Sequence, residues 1–144
     1  MDTGFRVEVM WNDVDVFKVR VAGWNGAFGG LADAYVPIGG LTEAAAKLDG
    51  FPCQPSDTRE VEFGAFGPER AGGAVNMRFW CKDAACHAVV EVRIESDYGG
   101  TDKAQSVLLI ASVEAAAIDN FVIDLRRVEA EQQGVAFLRA SSPS

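Results

Sequence analysis

The chemistry that this sequence could perform depends first on its single histidine, His87. A Ser-His-Asp triad or a Cys-His dyad would have to use it, and Cys86 is its neighbour in the chain. Alternating hydrophobicity predicts a strand here, and consecutive strand residues point to opposite faces, which separates Cys86 from His87. His87 could instead act as a general base beside Glu91, or lie as a surface imidazole next to Trp80. We favour the surface imidazole and predict no catalytic residue, so the interpretation leans away from an enzyme.

The cysteines and His87 offer the ligand types of a Cys₃His zinc site. Four residues separate Cys81 from Cys86, which is looser than a zinc knuckle, and the strand alternation turns His87 to the opposite face. We therefore predict no metal and no cofactor. Cys81 and Cys86 oppose each other across a predicted hairpin, where they could form a disulfide under oxidation. In a reducing cytosol the favoured interpretation is buried apolar thiols, and Cys53 is placed in the same class.

The clearest structural pattern is a β-hairpin over residues 74–95. Apolar and polar residues alternate on both arms, and a turn around Asp83-Ala84 makes both faces self-consistent. The predicted register pairs Cys81 with Cys86, Trp80 with His87, Phe79 with Ala88, Met77 with Val90 and Asn76 with Glu91.

The outward face of this hairpin is the predicted binding surface. Tryptophan and arginine side chains together are typical of the centres of protein interfaces. The candidate binding residues are Asn76, Arg78, Trp80, His87, Glu91 and Arg93. A competing interpretation is that a helix or another strand covers Trp80 and leaves only a charged rim.

Further strands are predicted over residues 5–10, 14–22 and 59–66. A change of apolar parity between Val16 and Phe17 suggests a bulge or a change of burial, and Asn25-Gly26 predicts the turn of a second hairpin. Residues 105–113 are apolar almost throughout, which predicts a strand buried on both faces or central in the sheet.

Two helices are predicted from apolar residues at helical spacing. The short one covers residues 41–49, with Gly40 or Thr42 as its cap. The long one covers residues 114–133 and ends at Gly134.

Together these elements predict a single α+β domain over residues 1–140. Its antiparallel β-sheet has about five to seven strands, with the short and the long helix packed on it. A chain of 144 residues, 49% of them hydrophobic, can bury a core without disulfides or metal. Residues 141–144 are expected to form a disordered tail.

Charge and composition limit the classes of partner. There are 13 basic and 21 acidic side chains, and the net charge of −8 argues against a nucleic-acid partner. No apolar run approaches the length of a membrane span, and the first residues lack the pattern of a signal peptide, so we expect a cytoplasmic protein. The acidic charge would steer a basic protein toward the surface, and unpaired strand edges make a homodimer plausible.

Four phrases of the sequence, taken in order, resemble a known group of proteins. They are Trp24–Gly30, Gly50-Phe51-Pro52, Cys81-Lys82-Asp83 leading into His87, and Glu114–Phe121. The group consists of small bacterial proteins of unknown function, some of them near polymorphic toxin genes and suspected to be immunity proteins. The resemblance implies an α+β fold and a protein-binding role, and it brings no catalytic residues.

The predicted function is therefore a non-enzymatic protein-interaction module, immunity-like, that uses a sheet face or edge. The alternative is a small-ligand-binding protein or enzyme with a pocket between the sheet and the helices. Trp24, Tyr35, Trp80 or His87 would line that pocket.

Overall fold

Eight strands and two helices make up the described part of the chain, residues 2–67, 72–98 and 103–143 of a computed structural model. The elements follow the order β1 (Gly4–Asn12), β2 (Val16–Trp24), β3 (Gly29–Pro37), α1 (Gly40–Leu48), β4 (Thr58–Gly64), β5 (Ala74–Cys81), β6 (Ala88–Glu95), β7 (Ser106–Val113), α2 (Ala115–Glu131) and β8 (Val135–Arg139).

The strands form two antiparallel sheets of four. The first sheet has the order β3-β2-β1-β8 and the second has the order β4-β5-β6-β7. The predicted α+β class, with one short and one long helix, is confirmed. The strands are nevertheless divided between two sheets, because α1 and the loop that follows it lead the chain away from β3. β4 then begins the second sheet by pairing with β5.

Both sheets and both helices contribute side chains to one hydrophobic core. Strand alternation decides which residues turn inward. Phe17, Val19 and Val21 of β2 are therefore fully buried, and the alternate residues Lys18 and Arg20 are only half-buried. The two sheets come very close at Gly23. A Cβ there would lie 2.8–2.9 Å from side-chain atoms of Phe5 and Leu109. Gly23 therefore allows the first sheet to pack tightly against β7 of the second.

The turn predicted at Asn25-Gly26 is confirmed. The backbone N–H of Asn25 donates to the carbonyl of Phe28 over 3.1 Å. The Asn25 side-chain oxygen accepts from the N–H groups of Ala27 and Phe28. Gly26 has φ of +99°, a conformation that costs glycine little because it lacks a Cβ.

The bulge predicted between Val16 and Phe17 is wrong. β2 pairs regularly through both residues, and the irregularity lies in β1, between Val9 and Trp11. Val14 lies in the turn before β2 and is 89% exposed. The change of parity in the sequence therefore marks the start of the strand.

The start of α1 and the end of α2 differ from the sequence prediction. α1 has Gly39 as its N-cap, with φ of +95°, and the predicted caps Gly40 and Thr42 lie inside the helix. α2 ends at Glu131, three residues before the predicted end at Gly134. Gln132 follows it in the left-handed conformation, and Gly134 also has a positive φ. Within the described residues, no helix has both the length and the apolar character needed to cross a membrane.

β7 is the edge strand of the second sheet, which corrects the prediction of a strand buried on both faces or central in the sheet. Leu109 and Ala111 are fully buried on the inner face, but Leu108 is 55% and Ile110 is 39% exposed on the other. The continuous apolar sequence of β7 thus forms a strand with one buried face and one exposed apolar face.

Candidate functional site

The hairpin over residues 74–95 has the predicted faces but a different register. The observed pairs are Cys81–Ala88, Trp80–Val89, Phe79–Val90, Met77–Val92 and Asn76–Arg93. Each partner lies two residues beyond the predicted one, because the connecting loop covers residues 82–87 and is longer than a tight turn. A shift of two residues leaves every strand side chain on its predicted face. The outward face is therefore preserved while its cross-strand pairs change.

Seven outward side chains of β4, β5 and β6 make up what we call the ladder face. They are Glu60, Glu62, Asn76, Arg78, Trp80, Glu91 and Arg93. Five of the six predicted binding residues belong to this set. Both glutamates of β4 and both arginines are exposed, so neither helix covers the face at these positions.

Charges alternate across the strands of the ladder face. Arg78 lies directly between Glu60 of β4 and Glu91 of β6. The side-chain amide of Asn76 donates to Glu60 over 3.1 Å and to Glu62 over 3.3 Å. Cross-strand pairs of opposite charge stabilise a sheet by about 0.2–1 kcal/mol each. The pattern holds the polar side chains in one plane and leaves their outer atoms in contact with solvent.

Trp80 is half-buried at one end of the ladder face. With Arg78 and Glu91 it lines an open depression of about 380 Å³. The other wall comes from residues 55–58. Asp57 in that wall is fixed by Arg59, whose guanidinium binds both carboxylate oxygens at 2.8 and 2.9 Å. A bidentate ion pair therefore fixes the position of the Asp57 side chain in this wall of the depression.

At the opposite end of the ladder face, the Arg93 side chain contacts two neighbouring side chains. The Arg93 guanidinium lies 4.5 Å from the centre of the Phe66 ring and 3.8 Å from a carboxylate oxygen of Glu95. Glu95 is 9% exposed and Val89 is 7% exposed, although both occupy outward positions of β6. Arg93 itself stays exposed, so the accessible part of the face runs from Trp80 through Arg78 and Glu91 to Arg93 and the glutamates of β4.

His87 lies outside the ladder face, in the loop between β5 and β6. The predicted contact with Trp80 is wrong, because Val89 occupies that position. His87 Nδ1 lies 2.6 Å from Asp83 Oδ2, and its backbone N–H donates to the other oxygen. These two hydrogen bonds lower the pKa of the Asp83 carboxyl. The carboxylate partner of His87 is therefore Asp83 and not Glu91.

The cysteines also differ from the favoured prediction. Cys81 and Cys86 form a disulfide that closes the loop over residues 82–87, with their Cα atoms 4.6 Å apart. Cys53 is exposed. None of the three is a buried free thiol, and the disulfide removes the Cys86 thiol as a nucleophile. In the part of the chain that the structure describes, no three His, Cys, Asp or Glu side chains are placed to hold a metal ion.

The aromatic residues proposed for a single ligand pocket are separated by the fold. Trp24 lines a depression of about 540 Å³ on the outer side of the first sheet. Tyr35 lines another, of about 310 Å³, between β3, α1 and β4. Trp80 belongs to the ladder face of the second sheet. Since these three rings border different depressions, they do not assemble one pocket between sheet and helices.

The exposed pair Leu108 and Ile110 was missed by sequence reasoning. Leu108 pairs with Arg93 across the strands, and Ile110 pairs with Glu91. The two apolar side chains therefore extend the ladder face as far as the edge of β7. Leu108 and Ile110 occupy alternate positions of the strand, which is the pattern of one shared face. Because Leu109 between them is equally apolar, the sequence does not show which of the two faces is exposed.

Comparisons of the chain with protein-family models, with curated proteins and with solved structures found no match. The assignment of function therefore depends on the geometry and charge of the site.

Proposed function

We propose that the protein is a non-enzymatic binding domain that uses the ladder face to hold a basic protein partner. The observation that carries this proposal is the gathering of five predicted binding residues on the outward face of the second sheet, where each of them is exposed or half-buried. They are Asn76, Arg78, Trp80, Glu91 and Arg93.

The shape of the face supports protein binding. A half-buried tryptophan beside a depression of about 380 Å³ can receive one side chain of a partner. Binding energy at protein interfaces is concentrated in such anchors, and tryptophan and arginine are the residue types most often found there. Trp80 supplies the apolar contact, and Arg78 with Glu91 supplies directional polar contacts around it.

The charge of the face favours a basic partner. Glu60, Glu62 and Glu91 outnumber Arg78 and Arg93, and the whole chain carries a net charge of −8. Complementary charge accelerates encounter and selects against partners of the same sign. The exposed glutamates of β4 are well placed for this, because both side chains lie on the same face of the sheet as Trp80.

The resemblance to small bacterial proteins suspected of immunity functions supports a narrower form of the proposal. In that form the partner is a basic toxin, such as a nuclease, and the complex forms in the bacterial cytoplasm. An acidic binder would neutralise such an enzyme by covering its positively charged surface.

The proposal is tested by capturing proteins from the native lysate on the immobilised chain at low and raised salt. Two variants alter the face, Trp80→Ala and the double change Glu60→Lys with Glu62→Lys. Asp119→Lys on α2 is the matched control, because Asp119 is exposed and α2 packs against α1 and β8. We expect a basic protein to bind the wild type and the control, and to be lost with either face variant and at raised salt.

Equal capture by all four proteins, or retention of no basic protein by the wild type, would overturn the proposal. The double charge reversal keeps the test decisive if Trp80→Ala folds poorly, since both glutamates are exposed.

A second candidate function is small-molecule binding in a depression of about 550 Å³ between α2, β8 and the end of β7. Ser112, Asn120, Asp124 and Arg139 bring polar groups of several kinds into it. A metabolite that binds there would raise the melting temperature of the wild type but not of Arg139→Ala. A screen of metabolites with no such difference would eliminate this candidate.

A further inference from the structure

The outward face of the second sheet changes in chemical character from one edge to the other. At the β4 edge it presents the carboxylates of Glu60 and Glu62, to which the side-chain amide of Asn76 donates over 3.1 and 3.3 Å. At the β7 edge it presents Leu108 and Ile110, which are 55% and 39% exposed. The face therefore has an acidic end and an apolar end.

Strand pairing places these two ends in line, because two rows of directly paired residues cross all four strands. They are Glu62, Asn76, Arg93 and Leu108 in one row and Glu60, Arg78, Glu91 and Ile110 in the other. Neighbouring strands lie about 4.8 Å apart, so the glutamate of each row lies about 14 Å from its apolar residue. Each row has one arginine between the two ends.

The apolar end continues past β7 toward the first sheet. Phe28 is 65% exposed in the β2–β3 turn. The Asn25 side chain binds both the N–H of Phe28 and the carbonyl of Ile110, so this turn lies directly beside the edge strand. Apolar side chains scattered singly are usual on protein surfaces, whereas a cluster of them beside polar groups is typical of an interaction site.

A protein that binds the ladder face also covers its apolar end. A specific interface takes about 800 Å² from each partner, which is a patch roughly 30 Å across. That is about twice the distance between the acidic and the apolar end. Leu108 is paired directly with Arg93, and Ile110 with Glu91. A partner seated over Arg78 and Glu91 therefore buries Leu108 and Ile110 as well.

We propose that Leu108 and Ile110 select among basic partners and orient the one that binds. Resting on the proposed function of the ladder face, this assigns the partner a contact surface that is basic over β4 and apolar over β7. The two parts lie about 14 Å apart. Charge complementarity fixes the direction, because a reversed partner would set its cations against Leu108 and Ile110 and its apolar side chains against the glutamates of β4.

Charge alone does not make this selection. Attraction between a chain of net charge −8 and a basic protein acts over a long range and is shared by all basic proteins. Leu108 and Ile110 contribute instead by leaving water, which requires apolar atoms opposite them. A basic protein with lysine at those positions would have its ammonium group desolvated against aliphatic side chains, and it would be rejected.

The selection is tested by the rate at which the partner dissociates. The basic protein that the immobilised wild type retains in the capture experiment is identified by mass spectrometry, purified and bound to each variant in a surface-based kinetic assay. Leu108→Thr with Ile110→Thr should dissociate about 10–100-fold faster than the wild type, because an apolar contact is lost while threonine still suits a strand. Glu60→Lys with Glu62→Lys should mainly slow association, by a factor that shrinks as salt is raised.

Ile123→Thr is the matched control, because Ile123 is 62% exposed on α2, which packs against α1 and β8. It should dissociate like the wild type. If the double threonine variant dissociates no faster than this control, the selection by Leu108 and Ile110 is overturned while the proposed function stands. If the wild type retains no basic protein, the proposed function fails and the selection fails with it.

The orientation of the partner has a separate readout, which does not depend on the folding of the threonine variant. A photoreactive phenylalanine derivative replaces Leu108 in one protein and Glu62 in another, and mass spectrometry maps the linked residues of the partner. Position 108 should link to an apolar part of the partner's surface and position 62 to a basic part. Links from position 108 to a basic part, or none from it while position 62 links, would overturn the orientation.

Discussion

The side-chain amide of Asn25 donates to the backbone carbonyl of Ile110 over 3.0 Å, and this bond joins the two sheets. Asn25 lies in the β2–β3 turn of the first sheet, and Ile110 lies on the edge strand of the second. Asn25 is 5% exposed and also binds the N–H groups of Ala27 and Phe28. One side chain thus closes a turn and fixes the position of β7.

Replacing Asn25 with alanine should lower the free energy of unfolding by about 2–3 kcal/mol. Three hydrogen bonds at a buried position are lost, at about 1 kcal/mol each. Denaturant unfolding measures the change, with Asn120→Ala on the exposed side of α2 as the control. If Asn25→Ala unfolds at the same denaturant concentration as Asn120→Ala, the joining role is refuted.

Glu129 of α2 caps the start of α1. Its carboxylate accepts from the N–H groups of Gly39, Leu41 and Thr42 at 3.1–3.2 Å. Since α1 lacks a side-chain cap of its own, Glu129→Ala should destabilise the protein by about 1–2 kcal/mol. Thermal unfolding beside Glu131→Ala, an exposed neighbour on the same helix, provides the comparison. Equal melting temperatures would show that the cap contributes nothing.

Asp57 should make stability depend on pH in the acid range. The Arg59 guanidinium, together with the backbone N–H of Cys53, holds the pKa of the Asp57 carboxyl well below its ordinary value. A lowered pKa in the folded state stabilises the protein above the unfolded-state pKa, near 4, and the contribution is lost as the pH falls further.

Asp57→Asn should therefore cost about 2 kcal/mol at pH 7, and the difference from wild type should shrink progressively below about pH 4. Urea unfolding at a series of pH values measures this, with Asp119→Asn on exposed α2 as the reference. A difference that stays constant from pH 7 to pH 2 would argue against the ion pair as its source.

The Cys81–Cys86 disulfide should stabilise the oxidised protein by about 2 kcal/mol, because it closes a short loop in the unfolded chain. Cys81→Ala with Cys86→Ala should melt lower than the oxidised wild type, and a reductant should remove most of the difference. Cys53→Ala serves as the control, since Cys53 is exposed. A wild type whose melting temperature ignores the reductant would contradict this expectation.

The faces of β5 and β6 were predictable, and their partners were not. Which side chains share a face follows from strand alternation alone, so Arg78, Trp80 and Glu91 were grouped correctly. The register depends on how the loop over residues 82–87 closes, and the contacts of Asp83 with His87 and the Cys81–Cys86 disulfide both lie in or across that loop. Periodicity carries no information about such contacts, so His87 was placed on the strand.

The other two differences between prediction and structure, the place of β7 in its sheet and the cap of α1, depend on contacts between residues far apart in the chain. An apolar run such as Ser106–Val113 suits a central strand and also an edge strand with an open apolar side. Only the order of strands distinguishes the two. The cap of α1 was missed for a similar reason, since Glu129 lies 87–90 residues from the N–H groups that it binds.

The binding of a basic protein by the ladder face can be tested by photocrosslinking in the cells that produce the chain. A photoreactive residue replaces Arg78 in the ladder face or, as a control, Asp119 on α2; both positions are exposed, and α2 packs against α1 and β8. If the ladder face holds the partner, light produces an adduct with a basic protein from position 78 and none from position 119. No adduct at position 78, or the same adduct at both positions, would show that the ladder face is not the binding surface.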